Sequence, residues 1–284
     1  MKRLIVNADD FGLHENINYG IIKGHTKGCI TSTSLMAGGK AFEHALSLAE
    51  AQPELGIGVH LTLVGAYPVT DPGRIPTLVD GEGLLCRDYP AFLKKFCFGK
   101  IRLEDIRQEL AAQVKAVLAA GVTITHLDSH QHMHIVPGII DVVLDIAKEF
   151  TIRAMRIPAE PLAFFGGFKP SAGRVIGRSG LTILARLAGR KARQAGLAVP
   201  DHFFGMLAGG SMEERLLLTV MDCLPPGSTE IMIHPGLDDA ILNAYFGWNY
   251  NWQTELAAVT SSQVAEKLAK GNIELCSFAG LARK

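Results

Sequence analysis

The chain has 284 residues, with 28 Lys plus Arg against 28 Asp plus Glu and a formal net charge of zero. That balance excludes bulk nucleic-acid binding, which needs a basic footprint, and 48% apolar residues exclude disorder. The length suits one large domain, since α/β barrels of about 250 residues are routine. Five cysteines, an odd number without a Cys-x-x-Cys pair, argue against a disulfide framework or a thiolate zinc site. Reduced thiols fit a cytoplasmic protein. The apolar run after Met1-Lys2-Arg3 is too short for a secretory signal, and no apolar stretch approaches the roughly 18 residues of a spanning helix.

In chain order, the apolar run 2–7 reads as a buried strand and leads to Asp9 and Asp10. A helical pattern follows near 15–27, then a strand at 30–36, a helix near 40–51, and a strand at 56–61 that carries His60. Residues 62–102, with Pro68, Pro72, Gly73, Pro76, Gly81 and Gly83, read as a long loop insertion over the strand ends. At 103–120, Ile106, Leu110, Val114, Val117 and Leu118 keep helical spacing and Gly121 supplies the stop. A strand at 122–128 runs into His126, Asp128, His130, His132 and His134. A helix at 137–149 opens with Pro137, suited to a first turn. A strand at 152–157 precedes a second insertion, 158–211, which holds Phe164, Phe165, Phe168 and a helical stretch at 179–195. A helix near 212–223, a strand at 229–234 ending on His234, a helix near 262–270 and a strand at 272–277 complete the chain. Alternating strands and helices imply a parallel α/β sheet curled into a deformed TIM-like barrel, with about seven strands in one domain, 1–284.

In such a barrel the strand ends gather at one face, where active sites are built. The acids and histidines at those ends can therefore meet around one divalent metal ion, zinc or magnesium. A catalytic site of this kind uses about three protein ligands and keeps a position open. Asp10, His60 and His130 are the ligands we expect. Asp9 is then left to take a proton from the attacking water, and His234 to protonate the leaving group. Asp128 would orient an imidazole from behind. Arg156, at a strand end, would orient Asp9, bind substrate or form a surface salt bridge. Asp-Asp before Phe-Gly is by itself more often a turn, and a lone His60 more often a satisfied core histidine. The 126–134 segment is denser: if the chain stays extended, its histidines and Asp128 fall on one face. His132 and His134 would bind substrate or be structural, and His14, His25 and His44 receive no role.

Together Asn7-Ala8-Asp9-Asp10-Phe11-Gly12, Thr31-Ser32-Thr33-Ser34, Gly58-Val59-His60-Leu61-Thr62, His126-Leu127-Asp128-Ser129-His130-Gln131-His132, Asp201-His202-Phe203-Phe204-Gly205 and Ile233-His234-Pro235-Gly236 resemble the YdjC-like carbohydrate deacetylases. The resemblance runs from residue 2 to about residue 278. It implies a deformed TIM-like barrel that removes an N-acetyl group from an acetylated amino sugar. It also implies metal on Asp10, His60 and His130, a base at Asp9 and an acid at His234. Arg74 to Asp80, Arg153 to Pro161 and Glu255 to Ser261 resemble the hopanoid-biosynthesis-associated branch, whose substrate is an N-acetylglucosaminyl hopanoid. Asp128-Ser129-His130 departs toward the chitooligosaccharide pattern.

A lipid-linked substrate would need an apolar approach. The basic amphipathic stretch 174–193 is read either as peripheral contact with the inner face of the membrane or, more readily, as a helix packing its Leu/Ile face on the barrel. Phe164, Phe165 and Phe168 would line a hydrophobic mouth or pack within their loop. Trp248, Tyr250 and Trp252 would stack on sugar or join two subunits of a homodimer. A soluble chitobiose deacetylase, a metal-dependent aldolase or isomerase, and a non-catalytic sugar-binding protein are the competing readings.

Overall fold

The computed structural model describes residues 1–282. The elements run β1 (Lys2–Phe11), α1 (Glu15–Lys27), β2 (Ser32–Leu35), α2 (Phe42–Ala49), β3 (Gly56–Leu61), α3 (Tyr89–Cys97), α4 (Leu103–Ala119), β4 (Ile124–Ser129) and α5 (Ile139–Glu149). They continue α6 (Ala172–Gln194), β5 (His202–Phe204), α7 (Glu214–Asp222), β6 (Gly227–Ile233), α8 (Asp239–Phe246), α9 (Trp252–Val259), α10 (Ser262–Lys270), β7 (Ile273–Leu275) and α11 (Phe278–Ala282). Short 3-10 turns lie at Pro72–Arg74 and His130–Ile135.

All strand pairs are parallel, in the order β4-β3-β2-β1-β6-β5. β1 is central. Leu4, Ile5, Val6 and Ala8 are buried in succession because helices cover one face and the barrel interior the other. Its edge away from β6 is shared: residues 2–4 pair with β7 and residues 7–11 with β2. The sheet is carried past β4 by isolated bridges, Leu127 to Met155 and Ala154 to Ala198. The strand expected at 152–157 is thus reduced to a short extended crossing. Pro158 stands immediately after it and lacks the N–H a longer ladder needs. The seventh strand is instead β5, inside the segment read as insertion. The result is a deformed TIM-like barrel, one α/β domain, closed loosely at the 154–204 side.

The expected insertions contain more structure than their Pro and Gly content suggests. The first carries α3, begun by Asp88 accepting from the Ala91 N–H and by Pro90 in the first turn. The second carries α6. Pro137 lies outside its helix: Gly138, at φ 87°, is the N-cap of α5. All five cysteines are free. Among the described residues no helix is long and apolar enough to cross a membrane.

Candidate metal centre

The centre is built where β1, β3 and β4 end. Asp9 and Asp10 fall in a register break of β1, between the pairs Ala8–Thr33 and Phe11–Leu35. Asp10 has φ 69°, a left-handed conformation rare for a side-chain-bearing residue. Two successive strand residues normally point to opposite faces. The bulge cancels that alternation, and both carboxylates reach one ring: His60 Nε2 lies 3.5 Å from Asp10 Oδ1 and 4.0 Å from Asp9 Oδ2. His130 Nδ1 lies 3.0 Å from Asp10 Oδ1. All four side chains are buried.

Asp10, His60 and His130 therefore converge as three donors with mutual spacing suited to a metal ion. Ligand atoms each about 2.1 Å from one ion sit ~3 to 3.5 Å apart. A second grouping, Asp9, His60 and Asp128, is geometrically close. It is excluded as a cation site by Arg156, which already occupies both of its carboxylates. Asp128 Oδ1 accepts a hydrogen bond from His60 Nδ1 at 2.9 Å, which turns Nε2 toward Asp10. Asp128 Oδ2 accepts from Ser34 Oγ at 2.7 Å.

Arg156 is fully buried. Its Nη1 and Nη2 donate to Asp9 Oδ2 and Oδ1, each at 2.6 Å, its Nη1 lies 2.8 Å from Asp128 Oδ2, and its Nε donates to Glu230 Oε1 at 2.7 Å. Asn7 Nδ2 adds a 2.9 Å bond to Asp9 Oδ1. Of the three roles expected for Arg156, burial removes the surface salt bridge. Its two bonds to Asp9 fit the orienting role.

The charges fit a cation. Burial alone would raise Asp10, but His130 and His60 hold its carboxyl well below the usual range. Burial alone would lower His60, yet Asp128, Asp10 and Asp9 outweigh it and push the ring up to about 10. Burial pushes Glu230 up to about 7 against the pull of Arg156. The directions of the Asp10 and His60 shifts both report a place that favours positive charge, which a divalent ion would supply where the His60 proton otherwise sits.

The histidine cluster does not share one face. The strand stops at Ser129, and Gln131 and His132 are both left-handed, at φ 53° and 57°. His130 reaches the centre, whereas the others turn elsewhere. His126 stacks 3.8 Å from Phe278, bonds Thr125 Oγ1, and lies so close to Gly58 that a Cβ there would meet the ring at 2.4 Å. His134 is held between Ser129 Oγ and the Arg156 carbonyl. Both are structural, and burial lowers them to about 3 and about 4. His132 stands edge-on to Phe203 with Nδ1 unpartnered, outside the donor triad.

His234 follows β6. Its backbone N–H is taken by Glu255, whose Oε2 is 3.9 Å from Nδ1, and its ring lies 5.2 Å from Tyr250. Tyr250 is 5.6 Å from Trp248, and Trp248 is 5.7 Å from His130. An aromatic wall thus joins His130 to His234, with Trp248 and Tyr250 half-buried and Trp252 fully buried in the core. The loop after β6 reaches this place because Gly20 of α1 packs on Gly236: a Cβ at Gly20 would be 2.4 Å from the Gly236 Cα.

Sequence reading missed Asn7, Ser34, Glu230 and Glu255 as supports. Glu230 was open to detection, as a carboxylate inside the apolar strand run Glu230-Ile231-Met232-Ile233.

Fold and site define an α/β barrel with a buried carboxylate–histidine–histidine cradle beside a clamped second carboxylate, an arrangement suited to metal-assisted hydrolysis. The chain belongs to the YdjC-like protein family, whose pattern matches residues 3–270. It is 34% identical over 282 residues, 98% of this chain and 99% of the relative, to a carbohydrate deacetylase of Brevibacillus brevis. A carbohydrate deacetylase of Clostridium beijerinckii is 31% identical over 97% of this chain and 98% of its own length. A solved structure from Enterococcus faecalis V583, provisionally named a cellobiose-phosphate cleavage protein, superposes with a TM-score of 0.78 at 26% identity, covering 99% of both chains.

Proposed function

We propose that this protein hydrolyses the N-acetyl group of an acetylated amino sugar, releasing acetate and the free amine. The observation that carries the proposal is the division of labour between adjacent carboxylates. Asp10 lies in the donor triad with His60 and His130, whereas Asp9 is held outside it by Arg156. The carbohydrate deacetylases that align over nearly the whole chain support the same chemistry.

Asp10, His60 and His130 would hold one divalent ion, zinc or magnesium. When bound, the ion supplies Lewis acidity, polarising the acetyl carbonyl and lowering the pKa of water. Asp128 keeps His60 in the tautomer that turns Nε2 inward. Asp9, its orientation set by Arg156 and Asn7, takes the proton of the attacking water as it adds to the acetyl carbon. His234 then delivers a proton to the sugar nitrogen, the C–N bond breaks, and acetate leaves. Trp248 offers an aromatic face beside His130 for the sugar ring.

For the substrate we propose an N-acetylglucosaminyl hopanoid, on the strength of the three branch-like segments. The soluble alternative, chitobiose, is favoured by Asp128-Ser129-His130 and by the aromatic wall. Acetate release from both substrates, with and without chelator, tests the proposal. Chelator-sensitive acetate from the glycolipid alone supports it, and acetate from chitobiose alone moves it to the soluble branch. No acetate from either leaves a metal cradle without this activity, as an aldolase, isomerase or binding protein would show.

A further inference from the structure

α6 faces outward with the wrong residues for a solvent helix. It buries its small side chains, Ala185, Ala188, Gly189 and Ala192, with Thr182 and Arg178. Its aliphatic residues divide: Leu181 and Leu184 pack against the core, whereas Ile176, Ile183 and Leu187 are 73%, 55% and 51% exposed. Spaced by seven and four residues, they form one stripe about 16 Å long. Single exposed aliphatics are ordinary, but an aligned set is not. The 23 residues of α6 include no acid. Arg186 and Arg190 are exposed beside the stripe, and among the described residues neither lies within ion-pair distance of a carboxylate. Lys191 is the outward cation that is paired, with Asp141.

The helix is fastened to the active face. Arg174 at its start donates to the carbonyls of Leu207 and Gly209, and a Cβ on Gly209 would lie 3.7 Å from His234. Arg178 donates to the carbonyls of Leu162 and Phe164, pinning the loop whose Leu162 and Phe165 are 38% and 40% exposed. The start of α6 and the loop tip therefore lie toward His234, and the stripe runs back from there along the outside of the barrel.

We propose that α6, with Leu162 and Phe165, is a docking surface for an anionic phospholipid bilayer. Such helices lie in the interface with the apolar face ~5–10 Å deep and the cations at the headgroups. A second copy fits less well: an isologous contact through α6 would set Arg186 and Arg190 against their equivalents with no acid on the helix to neutralise them. Adsorption stands independently of the chemistry. Its consequence, that the site meets a lipid-linked acetylated sugar from the bilayer, rests on the proposed deacetylation.

The test is co-sedimentation of the full chain with vesicles of equal parts phosphatidylglycerol and phosphatidylcholine, and with phosphatidylcholine alone. Binding should require the anionic lipid and weaken with salt. Arg186→Gln and Arg190→Gln should each weaken it about fivefold, and the Ile183→Glu/Leu187→Glu double variant should abolish it while its thermal midpoint stays that of the native chain. No binding to anionic vesicles, or binding unchanged in these variants, overturns the proposal. So does a concentration-dependent dimer that the double variant dissolves. Acetate release from the glycolipid and from chitobiose, measured on the same samples, separates the two proposals: adsorption without acetate from either substrate sinks only the deacetylation, and acetate release without adsorption sinks only the docking surface.

Discussion

The two sides of the active face are made differently. At the ends of β1, β3 and β4, Asp9, Asp10, His60, Asp128 and Arg156 bond one another in a closed set, with both oxygens of Asp9 and of Asp128 occupied. Beyond β6, His234 Nδ1 and Trp252 Nε1 have no partner, and the chain turns through left-handed Asp238, Gly247 and Asn249. A knot of charges in a low-dielectric site is costly unless every member is paired, so it is fixed before anything binds. Trp252 is sealed in the core, but the unpartnered His234 Nδ1 beside half-buried Tyr250 is a group a ligand would complete. The barrel thus sets a preorganised cluster of charges, the proposed ion cradle, beside a less tightly bonded side where the proposed sugar would lie.

The strongest way to break that contrast is to attack the cradle. His130→Ala removes one of three donors, and should cut metal occupancy sharply and turnover by about a thousandfold or more. Elemental analysis of the purified variant reads the metal directly, and unchanged stoichiometry would place the third ligand elsewhere. Asp9→Asn should separate the neighbouring carboxylates: metal and fold retained, turnover lowered by about 10²–10⁴. A near-native rate would remove Asp9 as the base.

Arg156→Met tests whether the knot is structural as well as catalytic. It would leave Asp9, Asp128 and Glu230 buried without their shared cation, a loss of roughly 3–5 kcal/mol. Denaturant unfolding of the metal-free protein reads it. A loss below about 1 kcal/mol would mean that water or protons replace the guanidinium easily.

Much of the cradle was legible because its members are chemically loud. Asp9, Asp10, His60 and His130 stand at ends of apolar runs, and strand ends of a parallel barrel converge. Less legible was anything set by backbone turns. Alternation across 126–134 suggests one face, yet two left-handed residues, Gln131 and His132, scatter those rings. The strand at 152–157 looked as apolar as the others, but Pro158 and the crossing to Ala198 reduce it to bridges. The division within α6 was not legible, because periodicity does not say which of its aliphatics are inside: Leu181 and Leu184 pack on the barrel, while Ile176, Ile183 and Leu187 face out. Its alanines and glycine pack inward because small residues permit close approach.

A pH series sharpens the contrast from the structural side. His126 and His134 are buried and depressed to about 3 and about 4, so both are neutral in the fold. Unfolded histidine takes a proton near pH 6.5. The native state therefore holds its full stability from these rings above about pH 6.5 and loses it as pH falls through the folded values. At pH 5 each ring contributes a loss of about 2 kcal/mol. Thermal midpoints should fall steadily from pH 6.5 to 4. A flat profile down to pH 4 would mean that these rings protonate within the fold.

The smallest effect belongs to the open side. Trp248 is half-buried, stacks on Phe246 at 4.6 Å and stands 5.7 Å from His130 without bonding any member of the knot. Trp248→Ala should therefore leave metal content unchanged. If it supports a sugar ring, the variant raises KM about tenfold, the scale of one lost aromatic face, with kcat within about threefold of native. Should kcat fall while KM holds, Trp248 would be acting through His130, and the line between the proposed cradle and the less tightly bonded side would have to be redrawn with the indole on the cradle's side.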